Sequence, residues 1–115
     1  MESSDCVVIL TTLPISADAE SFARALVDER LAACVSVYGE VTSTFRWQER
    51  VQTDHERQVM IKTTAGRVSD VRTRFANLHP YEVPEFLVLT CADGGETYLK
   101  WVRESVVSAI IHENS

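Results

Sequence analysis

Between residues 79 and 85 the chain reads HPYEVPE, so a histidine, a tyrosine and two glutamates surround two prolines. His79 offers an imidazole, a good ligand for a transition metal, while Glu82 and Glu85 offer carboxylates that suit harder cations. Tyr81 adds a hydroxyl that can meet a carboxylate or a bound polar group. An architectural reading stands beside the chemical one. Pro80 stops a helix, Pro84 opens a strand, and a protonated His79 sits well against a helix C-terminus. One imidazole alone is not a site, and Glu85 at a strand start also reads as a paired or solvated charge.

A lysine and the cysteines could also do chemistry. Cys34, in Ala-Ala-Cys-Val, reads as a small buried hydrophobe. Lys62 ends an apolar segment and needs a carboxylate or an anion as partner, since an unpaired buried charge is costly. Cys6 and Cys91 fall at the start of the first strand and the end of the last, which makes them cross-strand neighbours if those strands pair. Three cysteines without a CxxC spacing argue against a disulfide framework and against a structural zinc site. No nucleophile–base pair or phosphate loop is legible, so catalysis ranks behind binding, with no catalytic residue assigned. An enzymatic option survives only through a clustering of Lys62, His79, Tyr81 and Glu82.

The elements that must position these groups follow from hydrophobic period. Cys6–Thr12 is almost wholly apolar and β-branched, the pattern of a strand buried on both faces, and Pro14 is expected to break it. Ser16 is the expected cap of a helix whose apolar face holds Ala19, Phe22, Ala23, Leu26 and Val27, fading near Ala32. Cys34–Tyr38 and Val41–Trp47 form a long second strand with Gly39 at a bulge or bend. Gln48–Arg50 is the turn and Val51–Thr63 the return strand. Thr63 or Thr64 caps a second helix through Val68, Val71, Phe75 and Leu78, which Pro80 ends. Val83–Thr90 is a fourth strand, and a last helix from near Glu96 has Tyr98, Leu99, Val102, Val106 and Ile110 as its buried candidates.

This order, βαββαβα, with right-handed crossovers predicts an α+β ferredoxin-like split βαβ sandwich. Its sheet runs 4-1-3-2, all antiparallel, with a long hairpin between the second and third strands. The 115 residues fit one domain spanning 1–115, and 45% hydrophobic content is enough for a core. A net charge of −6 without a basic stripe excludes a typical nucleic-acid binder. Apolar runs such as Val7–Leu10 and Phe86–Leu89 are too short to cross a bilayer, so no membrane partner is expected. The opening MESSDC has no basic n-region, and the expected location is cytoplasmic.

One copy leaves physical debts. Two helices cover one sheet face, yet strands one and four are apolar on both. The hairpin arms, at roughly 3.3 Å per residue, overhang their shorter neighbours, and an isolated two-stranded ribbon is marginal in water. Both features predict a closed homo-oligomer.

ALVDERLAACVSVYGEVTSTFRW, QVMIKTT, HPYEVPEFLVL and YLKWV, in that order, resemble the CutA family of divalent-cation tolerance proteins from about Val7 to Trp101. The resemblance implies a ferredoxin-like subunit in a tight homotrimer, with hairpins reaching across to adjacent subunits. It also implies tolerance of divalent cations, copper above all, with copper or another divalent cation as ligand and no assigned reaction. On it, His79 and Cys34 are the metal candidates, and Trp47, Lys62, Tyr81, Glu82 and Trp101 are placed near an inter-subunit cleft for a metal ion or small polar ligand. Trp47 and Trp101 also read as packing residues. The rival reading is a trimeric small-molecule sensor like the PII signalling proteins, a likeness at fold level. The chain departs from the bacterial pattern where Thr11 replaces a cysteine, Leu78 replaces a histidine, and Gln48-Glu49 occupies a turn that often holds glycine. His79 alone remains of the residues linked to copper.

Overall fold

The alternation along the first strand sets the architecture. Val7, Ile9, Thr11 and Leu13 are buried, while Val8 and Leu10 between them are only half-buried. A strand with that pattern has one covered face and one open face. In the computed structural model, which describes residues 1–107, this strand is β1 (Cys6–Pro14). It is followed by α1 (Ala19–Asp28), β2 (Cys34–Trp47), β3 (Arg50–Thr64), α2 (Val68–Leu78), β4 (Leu87–Thr90) and α3 (Glu96–Ser105), with a 3-10 turn at Ala65–Arg67 before α2. The sheet order is β2-β3-β1-β4, the expected 4-1-3-2, and every pairing is antiparallel.

The covered face is the main core. Ile9 and Leu13 of β1 and Val59 and Ile61 of β3 pack on Phe22 and Leu26 of α1 and Val71 and Phe75 of α2. Burying each such side chain stabilises the fold by about 1.5–3 kcal/mol, which is what holds the two helices on the sheet. The open face keeps Val8 and Leu10 half-buried and leaves Leu87 53% and Leu89 48% exposed. At one end of that face α3 closes a small second cluster, with Val102 and Val106 on Cys6 and Ala33. The Arg67 guanidinium donates to the Val106 carbonyl at 2.8 Å and ties the end of α3 to the start of α2.

Several boundaries differ from the sequence expectation. Pro14 does not break β1; it is its last residue, opposite Glu56, where a missing N–H costs little. Asp18, not Ser16, caps α1, accepting from the Ser21 amide at 3.0 Å. The helix ends at Asp28, short of Ala32, because Arg30 turns left-handed (φ 59°) and both Leu31 and Ala32 donate to the Leu26 carbonyl. Neither Thr63 nor Thr64 caps α2: both lie in β3, and Thr63 donates instead to the Leu31 carbonyl at 2.7 Å. The fourth strand starts at Leu87 and not at Val83, since Pro84 cannot donate to a ladder. Tyr98 is 46% exposed although expected inside. Ile110 lies outside the described residues. The expected irregularity at Gly39 is present as a register shift between Val37 and Glu40.

Candidate functional site

The site grows from the mismatch between β1 and β4. β1 has nine residues but β4 only four, paired from Val7↔Thr90 to Leu10↔Leu87. Beyond Leu10 this β1 edge pairs with no strand among the described residues; the HPYEVPE loop occupies that place. His79 completes the edge. Its Nε2 donates to the Thr12 carbonyl at 2.6 Å, and its Nδ1 accepts from the Tyr81 amide at 3.1 Å. These partners fix the tautomer, because a carbonyl only accepts and an amide N–H only donates. The ring is 9% exposed, packed beside Phe22, Phe75 and Tyr81. Burial depresses its pKa, although the Thr12 hydrogen bond and the Glu56 charge push the other way. His79 is therefore neutral, and the protonated helix cap expected from sequence is not what forms. Both ring nitrogens are already engaged within the subunit.

Next to it, Tyr81 donates its hydroxyl to Glu56 at 3.0 Å. Glu56 is 6% exposed. Burial alone would raise its carboxyl, but hydrogen bonds from Ser43, Thr12 and Tyr81 outweigh burial and hold it below the usual range. The Tyr81 phenol is pushed up to about 12, first by burial and then by the bond to Glu56. Gln58 bridges outward, donating to the Thr11 carbonyl at 2.9 Å and to Glu85 at 3.3 Å. These groups form the floor of a cleft of about 670 Å³ between the β2–β3 hairpin and the HPYEVPE loop, lined among others by Phe45, Trp47, Asp54, Glu56, Tyr81, Glu82 and Glu85.

Trp47, Tyr81 and Glu82 line this one cleft. Lys62 and Trp101 do not line this cleft. The Lys62 ammonium meets the Ser36 hydroxyl at 3.3 Å and the Cys34 sulfur at 4.0 Å, where a carboxylate or anion was expected. Trp101 stacks obliquely on Tyr98, ring centres 5.5 Å apart, with both 46% exposed on α3. Cys34 pairs opposite Lys62, whereas His79 bonds Thr12, the β1 residue paired with Gln58, four residues or roughly 13 Å along β3 from Lys62. Within one subunit these two metal candidates are apart, and among the described residues no three His, Cys, Asp or Glu side chains converge on a metal-sized point. Glu56 is the residue that sequence reasoning passed over. It shares the open-face alternation of Gln58, Met60 and Lys62, which reads as a solvated carboxylate and carries no signal of burial.

Residues 7–105 match the family model described as CutA1 divalent ion tolerance protein. This chain belongs to the CutA1 family. The divalent-cation tolerance protein CutA of Thermus thermophilus is 44% identical over 98 residues, which span 85% of this chain and 95% of the relative. The Yersinia pestis (strain Pestoides F) protein of the same description is 34% identical over 104 residues, 90% of this chain and 87% of that one. The crystal structure of CutA from Xylella fastidiosa superposes with a TM-score of 0.85 at 40% identity, covering 90% of this chain and 99% of that one. The Thermus thermophilus CutA1 structure gives 0.85 at 42%, covering 89% and 99%. These CutA1 relatives are named for tolerance and not for a reaction.

Proposed function

We propose that this CutA1 chain acts in the cytoplasm as a homotrimer whose clefts, shared between subunits, bind a divalent cation, and that it works by binding and not by catalysis. One observation carries the reading: the carboxylate-lined cleft opens beside an apolar sheet face and a hairpin overhang that a single subunit leaves uncovered. A neighbour that covers that face also supplies the missing wall. The relatives' names give the ligand class.

The donors present favour oxygen coordination. Glu82, Glu85 and Asp54 line the cleft with carboxylates, while the His79 nitrogens are engaged and Cys34 lies elsewhere. Carboxylates suit harder ions than imidazole or thiolate do, so copper, the ion implied by the resemblance, competes here against harder divalent cations. The test is calorimetric titration of the intact assembly with Cu(II), Zn(II) and Mn(II), repeated on the Glu82→Gln/Glu85→Gln double variant and on His79→Ala. Saturable binding that the double variant loses supports the cleft. Binding untouched by the double variant but abolished in a folded His79→Ala protein moves the ion to the histidine. Absence of saturable binding by any of the three ions overturns the reading. Sedimentation of the same samples checks the trimer, and a stable monomer at working concentration excludes it.

A further inference from the structure

Cys6 and Cys91 lie outside the cleft and outside any role given above. The β1–β4 ladder ends at Val7↔Thr90, and the Cys91 amide donates to the Cys6 carbonyl at 3.2 Å one step beyond. The two cysteines are therefore directly opposite across an antiparallel pair, at a hydrogen-bonded position. Residues so placed share one face of the sheet with Cα atoms about 5.5 Å apart, inside the span a disulfide bridges. Both side chains belong to the same apolar cluster: Cys6 is buried against Val102, Val106 and Ala33, and Cys91 packs at its rim beside Leu99. Both are free thiols. The Cys6 thiol approaches the Leu99 carbonyl at 3.8 Å, a weak contact that constrains it little.

We infer that Cys6 and Cys91 form a cross-strand dithiol that closes to an intramolecular disulfide by exchange with a low-molecular-weight disulfide, a covalent site at the junction of β1, β4 and α3. The order of events follows from access. Cys91 is the more exposed residue, whereas Cys6 is buried and its thiol is raised, chiefly by desolvation and partly by the nearby Cys91 and Asp5, with Arg103 opposing. The Cys91 thiolate attacks one sulfur of the small disulfide, whose S–S bond breaks; one small thiolate leaves with the electron pair and takes up a proton. Cys6 then gives its proton to solvent and attacks the Cys91 sulfur of the mixed disulfide, releasing the second small thiolate. The two protein thiols lose two electrons and two protons, and the small disulfide becomes two thiols. Because α3 packs directly on the pair, the closed bond staples the sheet end under that helix.

The test uses the full chain carrying Cys34→Ser, so that only the two thiols in question remain. The protein is equilibrated natively with glutathione disulfide, acid-quenched, unfolded, alkylated and weighed. The expected result is loss of both alkylatable thiols, a mass lower by two hydrogens before alkylation, and one proteolytic fragment pair joining Cys6 to Cys91. Adding Cys6→Ala should leave Cys91 trapped as the glutathione adduct, the arrested first step. Two unreacted thiols, stable separate glutathione adducts on both residues, or bridges only between chains would each overturn the inference.

Discussion

The neutral imidazole of His79 makes a specific demand on stability. Folded, it is buried with Nε2–H on the Thr12 carbonyl and Nδ1 receiving the Tyr81 amide. Burial disfavours the charged ring and depresses its pKa, and protonation would also set a second N–H against the Tyr81 N–H, so the folded chain resists the proton. The unfolded chain titrates ordinarily, near 6.5. Above that value the His79 contribution to stability is complete. As pH falls below it, the unfolded chain binds a proton that the folded chain refuses, and stability declines until the depressed folded value is passed. A tenfold difference in proton affinity between the two states is worth roughly 1.4 kcal/mol. His79→Ala removes the ring from among Phe22, Phe75 and Tyr81 and leaves a buried carbonyl and amide without partners, a loss of roughly 3–5 kcal/mol. His79→Gln keeps a donor for Thr12, loses roughly half as much, and cannot titrate. The assay is the urea midpoint at fixed protein concentration from about pH 7.5 to about pH 5 for the parent chain and His79→Gln. The parent should weaken through this window while the variant stays nearly level. Parallel lines, or a parent that gains stability on acidification, would refute the assignment.

Tyr81→Phe should raise the Glu56 carboxyl pKa and cost roughly 1.5–3 kcal/mol, since it removes a hydroxyl donor from a buried carboxylate; carboxyl NMR titration and urea unfolding measure the two effects. Glu56 also has its own acid window: its stabilisation is present above the ordinary glutamate value of 4.5 and is lost as pH falls through the lower folded value, a loss that Glu56→Gln should not show. The hairpin turn holds two left-handed residues, Gln48 (φ 51°) and Glu49 (φ 68°). Glu49→Gly should therefore raise the unfolding midpoint by about 0.5–1 kcal/mol equivalent, whereas Glu49→Val should lower it. Leu89→Asp puts a charge on the open apolar face, and the sedimentation mass should fall toward that of one chain while far-ultraviolet dichroism is retained.

Much of the fold was legible because period and punctuation agree. The apolar run Val7–Leu10, the helical spacing of Phe22 and Leu26, and the stops at Gly39 and Pro80 each carry a local signal, and the crossover rule turns their order into one sheet. The misplaced boundaries are those decided by particular side-chain and backbone bonds that hydrophobic period does not show. Asp18 wins the cap over Ser16 because its carboxylate reaches both the amide and the hydroxyl of Ser21. The site was half legible. HPYEVPE pointed to a cleft, and Trp47, Tyr81 and Glu82 do meet there. His79 misled because its type suggests a proton or a metal, while its use depends on Thr12, which lies 67 residues away in sequence. Glu56 hid in the polar half of β3, since burial there comes from a loop folding over the strand and not from β3's own pattern.

The β1 ladder on β3 stops at the Pro14–Glu56 pair, so residues 50–55 of β3 have β2 on one side and, among the described residues, no strand paired on the other. That stretch is a half-zipped seam. A strand from an identical molecule that docks along it passes its own seam onward, and such head-to-tail addition either returns to its origin as a ring or continues as a fibre. The rotation per step is governed by the twist of the protruding arm and by the kink between Val37 and Glu40. The length and bend of one ribbon, more than the chemistry displayed on it, then govern whether growth terminates. Inserting two residues into that arm would keep the alternation of faces yet displace the docking edge, trading closure for polymer.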